Sequence, residues 1–335
     1  MLSQVVSLFC GCGGLDLGFT QAGFNVALAL DVDPVAVRTY NHNHGGEVAQ
    51  VADLLTTDGA DIIRLLDAKY PNVPPKGVIG GSPCQVFSIG NRHIKDDDTR
   101  RILPTKYAAI LKALNDRYEL DFFVFENVRG ITFEKHKKDF SQFKESFEDA
   151  GFRLFEGLLD AQHFGVAQKR PRVFVVGLNA RKYSEQDFTF PAPSRGQVVS
   201  VADKIDGLPE PVFYRRDVRP EDLPHHRNHW TMQPKSAKFS DGFLKEGQCK
   251  GRSFRVLSWA KPSWTVAYGN REVHIHPLGT RRLSVYESML LQGFPSTYQL
   301  LGTLSAQYRQ VSDAVPPPVG KVLAEAIGLI CNPIV

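Results

Sequence analysis

One cysteine lies in a setting that could support covalent chemistry. The run Gly80-Gly81-Ser82-Pro83-Cys84-Gln85 follows the short apolar segment Gly77–Gly80, which is typical of a buried strand. Two glycines and a proline favour a sharp exit at the carboxyl end of that strand, where α/β sheets place their ligands. A thiol there can act as a nucleophile, whereas a cysteine taken singly is more often an inert, small apolar side chain.

A carboxylate follows the next predicted strand, at the same edge of the sheet. Glu126 comes directly after Phe122–Phe125 and precedes Asn127. A carboxylate beside four apolar residues costs free energy unless it has a partner or a role, although an exposed strand end would also explain it. Residues 91–101, which include Arg92, are strongly charged; they indicate a solvated loop that could also carry cations towards a phosphate backbone.

A glycine-rich loop, Phe9-Cys10-Gly11-Cys12-Gly13-Gly14, separates the first apolar strand from a helical pattern. Glycines let the backbone approach a ligand, and the following helix offers free N–H groups. Asp16 stands where the dinucleotide fingerprint has its third glycine, which disfavours a nicotinamide oxidoreductase. Asp31 ends the next strand, where a carboxylate accepts hydrogen bonds from a ribose, and Asp53 closes the following strand-like piece. The set suits an adenosine without a pyrophosphate.

Strands and helical patterns alternate over residues 1–180, which predicts an α/β fold with a doubly wound, mostly parallel, Rossmann-like sheet. From about residue 181 to 280 the chain becomes rich in Pro, His, Arg and Ser and lacks long amphipathic patterns. We therefore predict a main domain over 1–180, completed by 305–335, a smaller irregular domain over 181–280, and a hinge segment over 281–304.

The composition is that of an ordinary globular chain: 335 residues, 42% hydrophobic, 23% charged, with a formal net charge of +4. These values disfavour collagen, coiled coil and disorder. Five cysteines are too few for a disulfide scaffold, which favours a reducing compartment. No run of about 20 apolar residues suggests a bilayer span, and no positive segment precedes the apolar N-terminus. We expect an intracellular protein without a membrane partner.

Six motifs, taken in order along the chain, make the sequence resemble the cytosine-C5 DNA methyltransferases of the compact bacterial type. They are the loop Phe9-Cys10-Gly11-Cys12-Gly13-Gly14, Pro83-Cys84-Gln85, Glu126-Asn127-Val128, Gln168-Lys169-Arg170-Pro171-Arg172, Arg281-Arg282-Leu283-Ser284 with Glu287 and Leu291-Gln292-Gly293-Phe294-Pro295, and Gln310 with Val315-Pro316-Pro317-Pro318. Three positions depart from the family pattern. Asp313 replaces an Asn, Asp31 replaces a Glu, and Val32 replaces an aromatic residue.

The resemblance implies a class I methyltransferase that moves a methyl group from S-adenosylmethionine to C5 of a cytosine. The cytosine would be flipped out of double-stranded DNA and bonded transiently through C6 to Cys84. The implied catalytic residues are Cys84, Glu126, Arg170 and Arg172. The implied cofactor contacts are Phe9, Gly11, Cys12, Gly13, Gly14, Asp31, Val32, Asp53, Leu54, Pro83, Asp313 and Ala314. The implied DNA contacts are Gln85, Ser88, Arg92, Asn127 and Gln168, and no metal is expected.

The same resemblance implies a cellular role, a location and a functional partner. It suggests the modification enzyme of a restriction–modification pair, acting in the bacterial cytoplasm, with a cognate endonuclease as functional partner and a monomer as the default state. Residues 181–280 would be the target-recognition domain. Two alternatives stay open: an RNA cytosine methyltransferase on the same fold, and a catalytically silent DNA-binding paralogue. The absence of a Cys-Phe-Thr segment disfavours the first, and the presence of Cys84, Glu126 and Arg172 disfavours the second.

Overall fold

The structure is a computed structural model that describes residues 3–71, 73–83, 102–194, 196, 198–240, 242–249, 254–265 and 274–331. Several predicted functional residues lie outside these ranges, namely Cys84, Gln85, Ser88 and Arg92. Their roles stay predictions.

The described chain alternates strands and helices in its first half and carries short elements later. The helices are α1 (Gly14–Gln21), α2 (Pro34–His44), α3 (Gly59–Lys69), α4 (Leu103–Tyr118), α5 (Lys137–Asp149), α6 (Ala202–Ile205), α7 (Val285–Leu291), α8 (Leu304–Asp313) and α9 (Pro317–Cys331). The strands are β1 (Gln4–Leu8), β2 (Asn25–Asp31), β3 (Ala49–Val51), β4 (Gly77–Gly80), β5 (Phe122–Val128), β6 (Phe152–Asp160), β7 (Gln168–Lys169), β8 (Pro171–Asn179), β9 (Val212–Phe213), β10 (Trp230–Thr231), β11 (Arg255–Val256), β12 (Ser263–Trp264) and β13 (His274–Ile275).

The chain divides into two compact units, and the first contains the main sheet. This unit comprises Met1–Leu159, Pro171–Ala192 and Val319–Val335. Within the described ranges its strands form a seven-stranded sheet in the order β3-β2-β1-β4-β5-β8-β6. The β3-β2-β1-β4-β5 pairings are parallel, and β8 runs antiparallel to β5. This arrangement confirms the predicted α/β fold with a mostly parallel sheet.

The central strands are buried on both faces, which explains why their sequences are almost wholly apolar. Phe123 and Phe125 pack with Tyr107 and Phe147 beneath the sheet. The Tyr107 hydroxyl donates to the carbonyl of Val124 at 2.9 Å, so this buried polar group is satisfied. The rigid centre thus holds the carboxyl ends of β1, β4 and β5 along one edge.

The second unit comprises Asp160–Arg170 and Pro193–Pro318. Its described strands are two residues long and pair in parallel, β9 with β10, β11 with β13 and β7 with β12. Helix α7 begins with a capping box between Ser284 and Glu287, and Glu287 is also paired with the buried Arg281 at 2.9 Å. The predicted assignment of residues 181–280 to target recognition stays a prediction.

One helical stretch of the described chain, Leu304–Cys331, is long and apolar enough to cross a membrane by length and composition alone. Half of its most apolar window is buried within the protein, as in a core helix. The stretch is also interrupted, because Ala314 has extended backbone angles (φ −67°, ψ 142°) between α8 and α9. The stretch is therefore weak evidence for a membrane span.

Candidate active site

The carboxyl end of β5 carries an ion pair between Glu126 and Arg172. In the antiparallel register Val128 faces Arg172 and Glu126 faces Phe174, so Glu126 and Arg172 are diagonal neighbours on one face. Arg172 Nε lies 3.0 Å from Glu126 Oε1, with the two side chains only 13% and 12% exposed. Because the pair is largely shielded from solvent, the guanidinium holds the carboxylate in a defined position.

The segment that leads from β4 towards Cys84 is packed against this carboxylate. An added Cβ at Gly81 would lie 2.5 Å from Glu126 Oε2, so only glycine allows this close approach. Asn127 is buried and its amide lies 3.4 Å from Ser82 Oγ. Pro83, which ends the described segment, is half-buried. The segment that leads to the predicted nucleophile therefore contacts Glu126 at Gly81.

The glycine-rich loop has a backbone that ordinary residues rarely adopt. Phe9, Gly11 and Gly13 have φ values of 56°, 54° and 88°. Left-handed conformation at a non-glycine residue costs free energy and tends to occur at ligand sites. An added Cβ at Gly11 would meet no atom of the described residues within 4 Å, so open space lies beside the loop. Helix α1 starts at Gly14 without a side-chain cap, which leaves its first N–H groups suited to an anion.

Asp31 ties β2 to the loop. Its Oδ2 accepts a hydrogen bond from the Gly11 N–H at 2.9 Å, and its Oδ1 accepts from the Asp33 N–H at 2.8 Å. Burial raises the pKa of the Asp31 carboxyl group, and these backbone hydrogen bonds act in the opposite direction. Each oxygen keeps a further lone pair, so the carboxylate can still accept hydrogen bonds from ligand hydroxyl groups.

The other predicted cofactor residues of this unit flank Asp31 along the chain. Val32 is 60% exposed, which is unusual for an apolar side chain beside a buried strand. Asp53 is exposed after β3, where its side chain accepts from the Leu55 N–H, and Leu54 is buried. Cys12 is also buried. These positions fit an open site with an apolar surface at Val32 and a carboxylate at Asp31.

The remaining predicted residues lie in the second unit. Arg170 is buried and donates to the carbonyl oxygens of Ser312 and Ala314 at 2.6 and 2.9 Å. Gln168 is buried and its amide lies 3.4 Å from Gln292 Oε1, whereas Asp313 is exposed. The contacts of Arg170 favour a role in holding the end of α8. Its catalytic role, the DNA contact of Gln168 and the cofactor contacts of Asp313 and Ala314 stay predictions.

Sequence reasoning did not predict the pairing of Arg172 with Glu126 or the contact of Gly81 with Glu126. The continuous apolar run of β8 could have suggested a place beside β5 in the centre of the sheet. The direction and register of that pair, however, depend on the packed sheet.

Comparisons with known proteins agree with these motifs. The model of the family described as C-5 cytosine-specific DNA methylase matches residues 3–329. The Type II methyltransferase M.FnuDI of Fusobacterium nucleatum is 30% identical over 97% of this chain and 94% of its own length. The Type II methyltransferase M.MthTI of Methanothermobacter thermautotrophicus is 31% identical over 98% of this chain and 97% of its own length.

Solved structures share the fold. A DNA modification methyltransferase encoded within a prophage of E. coli has a TM-score of 0.78 at 22% identity, covering 97% of this chain and 98% of that one. The S. pombe Dnmt2 methyltransferase has a TM-score of 0.64 at 19% identity, covering 99% of each chain. At these identities the likeness establishes the arrangement of helices and strands.

Proposed function

The chain belongs to the C-5 cytosine-specific DNA methylase family, and from this premise we propose that it methylates C5 of a cytosine within a specific sequence of double-stranded DNA. S-adenosylmethionine is the proposed methyl donor, and Cys84 is the proposed nucleophile. The observation that carries the proposal is the shielded Glu126–Arg172 ion pair, which touches Gly81 three residues before Cys84. The proposed catalytic carboxylate thus lies beside the segment that leads to the proposed nucleophile, with its ion-pair partner Arg172 on the neighbouring strand.

The described cofactor residues fit S-adenosylmethionine. Asp31 keeps acceptor sites for ribose hydroxyl groups, Val32 offers an exposed apolar surface for an adenine, and the uncapped start of α1 suits a carboxylate. The open space at Gly11 lets a ligand approach the backbone. When bound, this cofactor supplies an electrophilic methyl group on a sulfonium.

The proposed reaction begins with Cys84 because C5 of cytosine is a poor nucleophile by itself. The Cys84 thiolate adds to C6 and forms a sulfur–carbon bond, which turns the ring into an enamine whose C5 attacks the methyl group. An ordinary thiol has a pKa of about 8.5, so a nearby cation helps by favouring the thiolate. After methyl transfer C5 loses its proton to a base or water, and the sulfur–carbon bond breaks to restore the aromatic ring.

Glu126 and Arg172 act on the other side of the ring in this proposal. Electron density that reaches the ring on thiolate addition is stabilised when Glu126 holds a proton at N3 and accepts from the 4-amino group. Arg172 orients Glu126 and can donate to the C2 carbonyl oxygen. Both side chains lie on rigid neighbouring strands, which favours precise placement of the base.

The substrate base must leave the duplex before any of these groups can reach it. Methyltransferases that act on DNA bases flip the target nucleotide out of the stack, at a cost of roughly a few kcal/mol. We propose that Gln85, Ser88, Arg92, Asn127 and Gln168 contact DNA and that residues 181–280 read the target. The family relatives are named Type II methyltransferases, which supports a modification role beside a cognate restriction endonuclease. We further propose a monomer in the bacterial cytoplasm, where the DNA lies, with no membrane partner.

Bisulfite sequencing of DNA from a host that expresses this chain tests the proposal. We expect protected cytosines at one short recurring sequence, because a modification enzyme must match the site of its endonuclease. The same host with the empty vector is the control. Protection of RNA cytosines alone would favour the RNA enzyme, and unprotected DNA and RNA together would favour a silent DNA-binding protein.

Removal of the Asp31 carboxylate is expected to weaken cofactor binding. Asp31→Ala should raise the Kd for S-adenosylmethionine about tenfold or more, the scale of lost hydrogen bonds to a charged group, and leave DNA affinity unchanged. Because burial raises the pKa of Asp31, wild-type cofactor affinity should fall as pH is lowered through that pKa, when the carboxylate gains a proton.

Isothermal titration calorimetry with Asp67→Asn as a matched control measures this effect. Asp67 belongs to an exposed ion pair with Arg117 on the same unit. An effect of Asp31→Ala on DNA binding alone would contradict the assignment.

A further inference from the structure

A buried carboxylate lies in the first turn of the helix that follows the cofactor loop, and the proposed mechanism does not use it. Asp16 is 1% exposed, and its Oδ1 accepts a hydrogen bond from the Tyr40 hydroxyl at 3.0 Å. Tyr40 is itself fully buried and stacks on His44, with ring centroids 4.1 Å apart. Ser7 of β1 lies beside the carboxylate and is also buried.

The hydrogen bonds around this carboxylate do not offset its burial. Asp16 Oδ2 and Ser7 Oγ are buried, and neither makes a hydrogen bond of ordinary geometry within the described residues. Burial therefore dominates and raises the pKa of Asp16 to about 6. Because the folded protein holds this proton more tightly than the unfolded chain, the contribution of Asp16 to stability falls as pH rises from about 4 to 6 and is lost above that pH. A group that destabilises the fold at neutral pH calls for a functional explanation.

The surroundings of Asp16 are acidic rather than basic. Besides burial, which raises the pKa of Asp16, hydrogen bonds with Ser7, Tyr40 and the Asp16 backbone lower it, and the charge of Asp31 at the end of β2 raises it. Burial raises the pKa of Cys10 in the loop, and the charges of Asp16 and Asp31 raise it further. His44, behind Tyr40, has its pKa lowered to about 4 by burial and is neutral above that pH. Helix α9 approaches this part of α1 through Gly320, which has no titratable group.

The backbone of the loop Phe9–Gly14 links Asp16 to the residues that are proposed to bind the cofactor. Gly13 caps α1 and its N–H donates to the Cys10 carbonyl at 2.9 Å, while the Gly11 N–H donates to Asp31. Asp16 lies in the first turn of α1, two residues after Gly14, and it interacts electrostatically with Cys10 of the loop and with Asp31. A buried charge is screened weakly, so it acts on a ligand charge across several ångströms without contact.

We infer that Asp16 is a specificity-determining residue that favours the cationic methyl donor over its uncharged thioether product. The inference rests on the proposed function, because it takes Phe9–Gly14 as the cofactor loop. S-adenosylmethionine carries a positive sulfonium, and S-adenosylhomocysteine has a neutral sulfur at the same place. The ionised Asp16 attracts the former only, so it lowers the relative affinity of the spent cofactor and favours its release.

The ratio of the two dissociation constants tests this inference, because contacts common to both ligands cancel in it. For the wild type, the Kd of S-adenosylhomocysteine divided by that of S-adenosylmethionine should rise about fivefold between pH 5 and pH 7, on the order of the effect of one weakly screened charge. This range lies below the α-amino pKa of either ligand, which is about 8. Isothermal titration calorimetry of the full chain measures both constants without turnover.

Asp16→Asn is the decisive variant. It keeps the acceptor for Tyr40 and places an amide beside Ser7 Oγ, which can accept, so the fold should persist with an unchanged or higher Tm at pH 7. The ratio should fall about fivefold at pH 7 and lose its pH dependence. Tyr40→Phe keeps the Asp16 carboxylate but removes a hydrogen bond that lowers its pKa. In this variant the ratio of the two dissociation constants should therefore change at a higher pH than in the wild type. If Asp16→Asn does not fold, the shift in pH dependence of Tyr40→Phe tests the inference, and an unchanged pH dependence would contradict it.

The possible outcomes distinguish a failure of this inference from a failure of the proposed function. If wild type binds neither ligand, the proposed cofactor is wrong. If it binds both with a ratio that does not change with pH, or if Asp16→Asn weakens both ligands equally, Asp16 has only a structural role and the inference fails. If Asp16→Asn retains the wild-type pH dependence, the charge belongs to another group such as Asp31, and the inference also fails.

Discussion

Cys84→Ser is expected to abolish methyl transfer to double-stranded DNA. Deleting a covalent nucleophile typically lowers turnover by a factor on the order of 10⁴ or more, and a serine hydroxyl is far less nucleophilic than a thiolate at neutral pH. The measurement is the transfer of a labelled methyl group from S-adenosylmethionine to a duplex that contains the target found by bisulfite sequencing. Cofactor and DNA affinities should change little, because the substitution is nearly isosteric.

A duplex with 5-fluorocytosine at the target base tests the same step directly. In the presence of S-adenosylmethionine, methyl transfer leaves C5 with a fluorine that cannot depart as a proton does, so the sulfur–carbon bond cannot be eliminated. The wild type should therefore form an adduct that survives denaturant, and Cys84→Ser should form none. Cys249→Ser is the matched control, because Cys249 is an exposed cysteine elsewhere in the chain. Activity of Cys84→Ser near the wild-type level would remove this residue from the mechanism, and an active wild type that forms no adduct would indicate non-covalent chemistry.

Glu126→Gln is expected to have the second largest effect. The amide keeps a hydrogen-bond acceptor for Arg172 and nearly the same volume, but it cannot hold and release a proton at N3. Loss of a general acid–base group lowers turnover by about 10² to 10⁴-fold. Single-turnover methyl transfer with saturating DNA and cofactor measures this step, and the affinity for S-adenosylmethionine should stay within about twofold because Glu126 is not among the cofactor contacts.

The control for this variant is Glu134→Gln, since Glu134 is an exposed glutamate whose side chain is 86% accessible. The 5-fluorocytosine adduct should form more slowly in Glu126→Gln than in wild type, because stabilisation of the attacked ring is reduced. Equal rates of adduct formation in Glu126→Gln and wild type would show that Glu126 does not assist the addition step.

Several elements were predictable from local pattern because they are buried on both faces. The predicted strand Gly77–Gly80 coincides with β4, and the predicted strand Phe122–Phe125 lies within β5. Strand β6, in contrast, was not predicted. It lies at the edge of the sheet, and most of its residues are only partly buried, so its sequence lacks the continuous apolar run of a central strand. Its place depends on pairing with β8.

The two arginines of the motif Gln168–Arg172 also show what local sequence does not reveal. Arg170 and Arg172 are two residues apart and have the same chemistry, so the sequence suggested catalysis for both. In the structure Arg172 pairs with Glu126, whereas Arg170 donates to backbone carbonyl groups at the end of α8. Which arginine lies beside a carboxylate follows from strand register and from packing between segments distant in sequence.

The sequence by itself determined the family, the order of the chemical motifs and the mostly parallel sheet. These depend on residue types at short spacings, where apolar runs, glycines and the Pro-Cys-Gln motif carry the information locally. Only the tertiary structure decided that Glu126 pairs with Arg172 and touches Gly81, and that Asp16 is a buried carboxylate in the first turn after the glycine-rich loop. Those relations arise when distant segments are packed, because register, burial and the weak screening of a charge exist only in the folded protein.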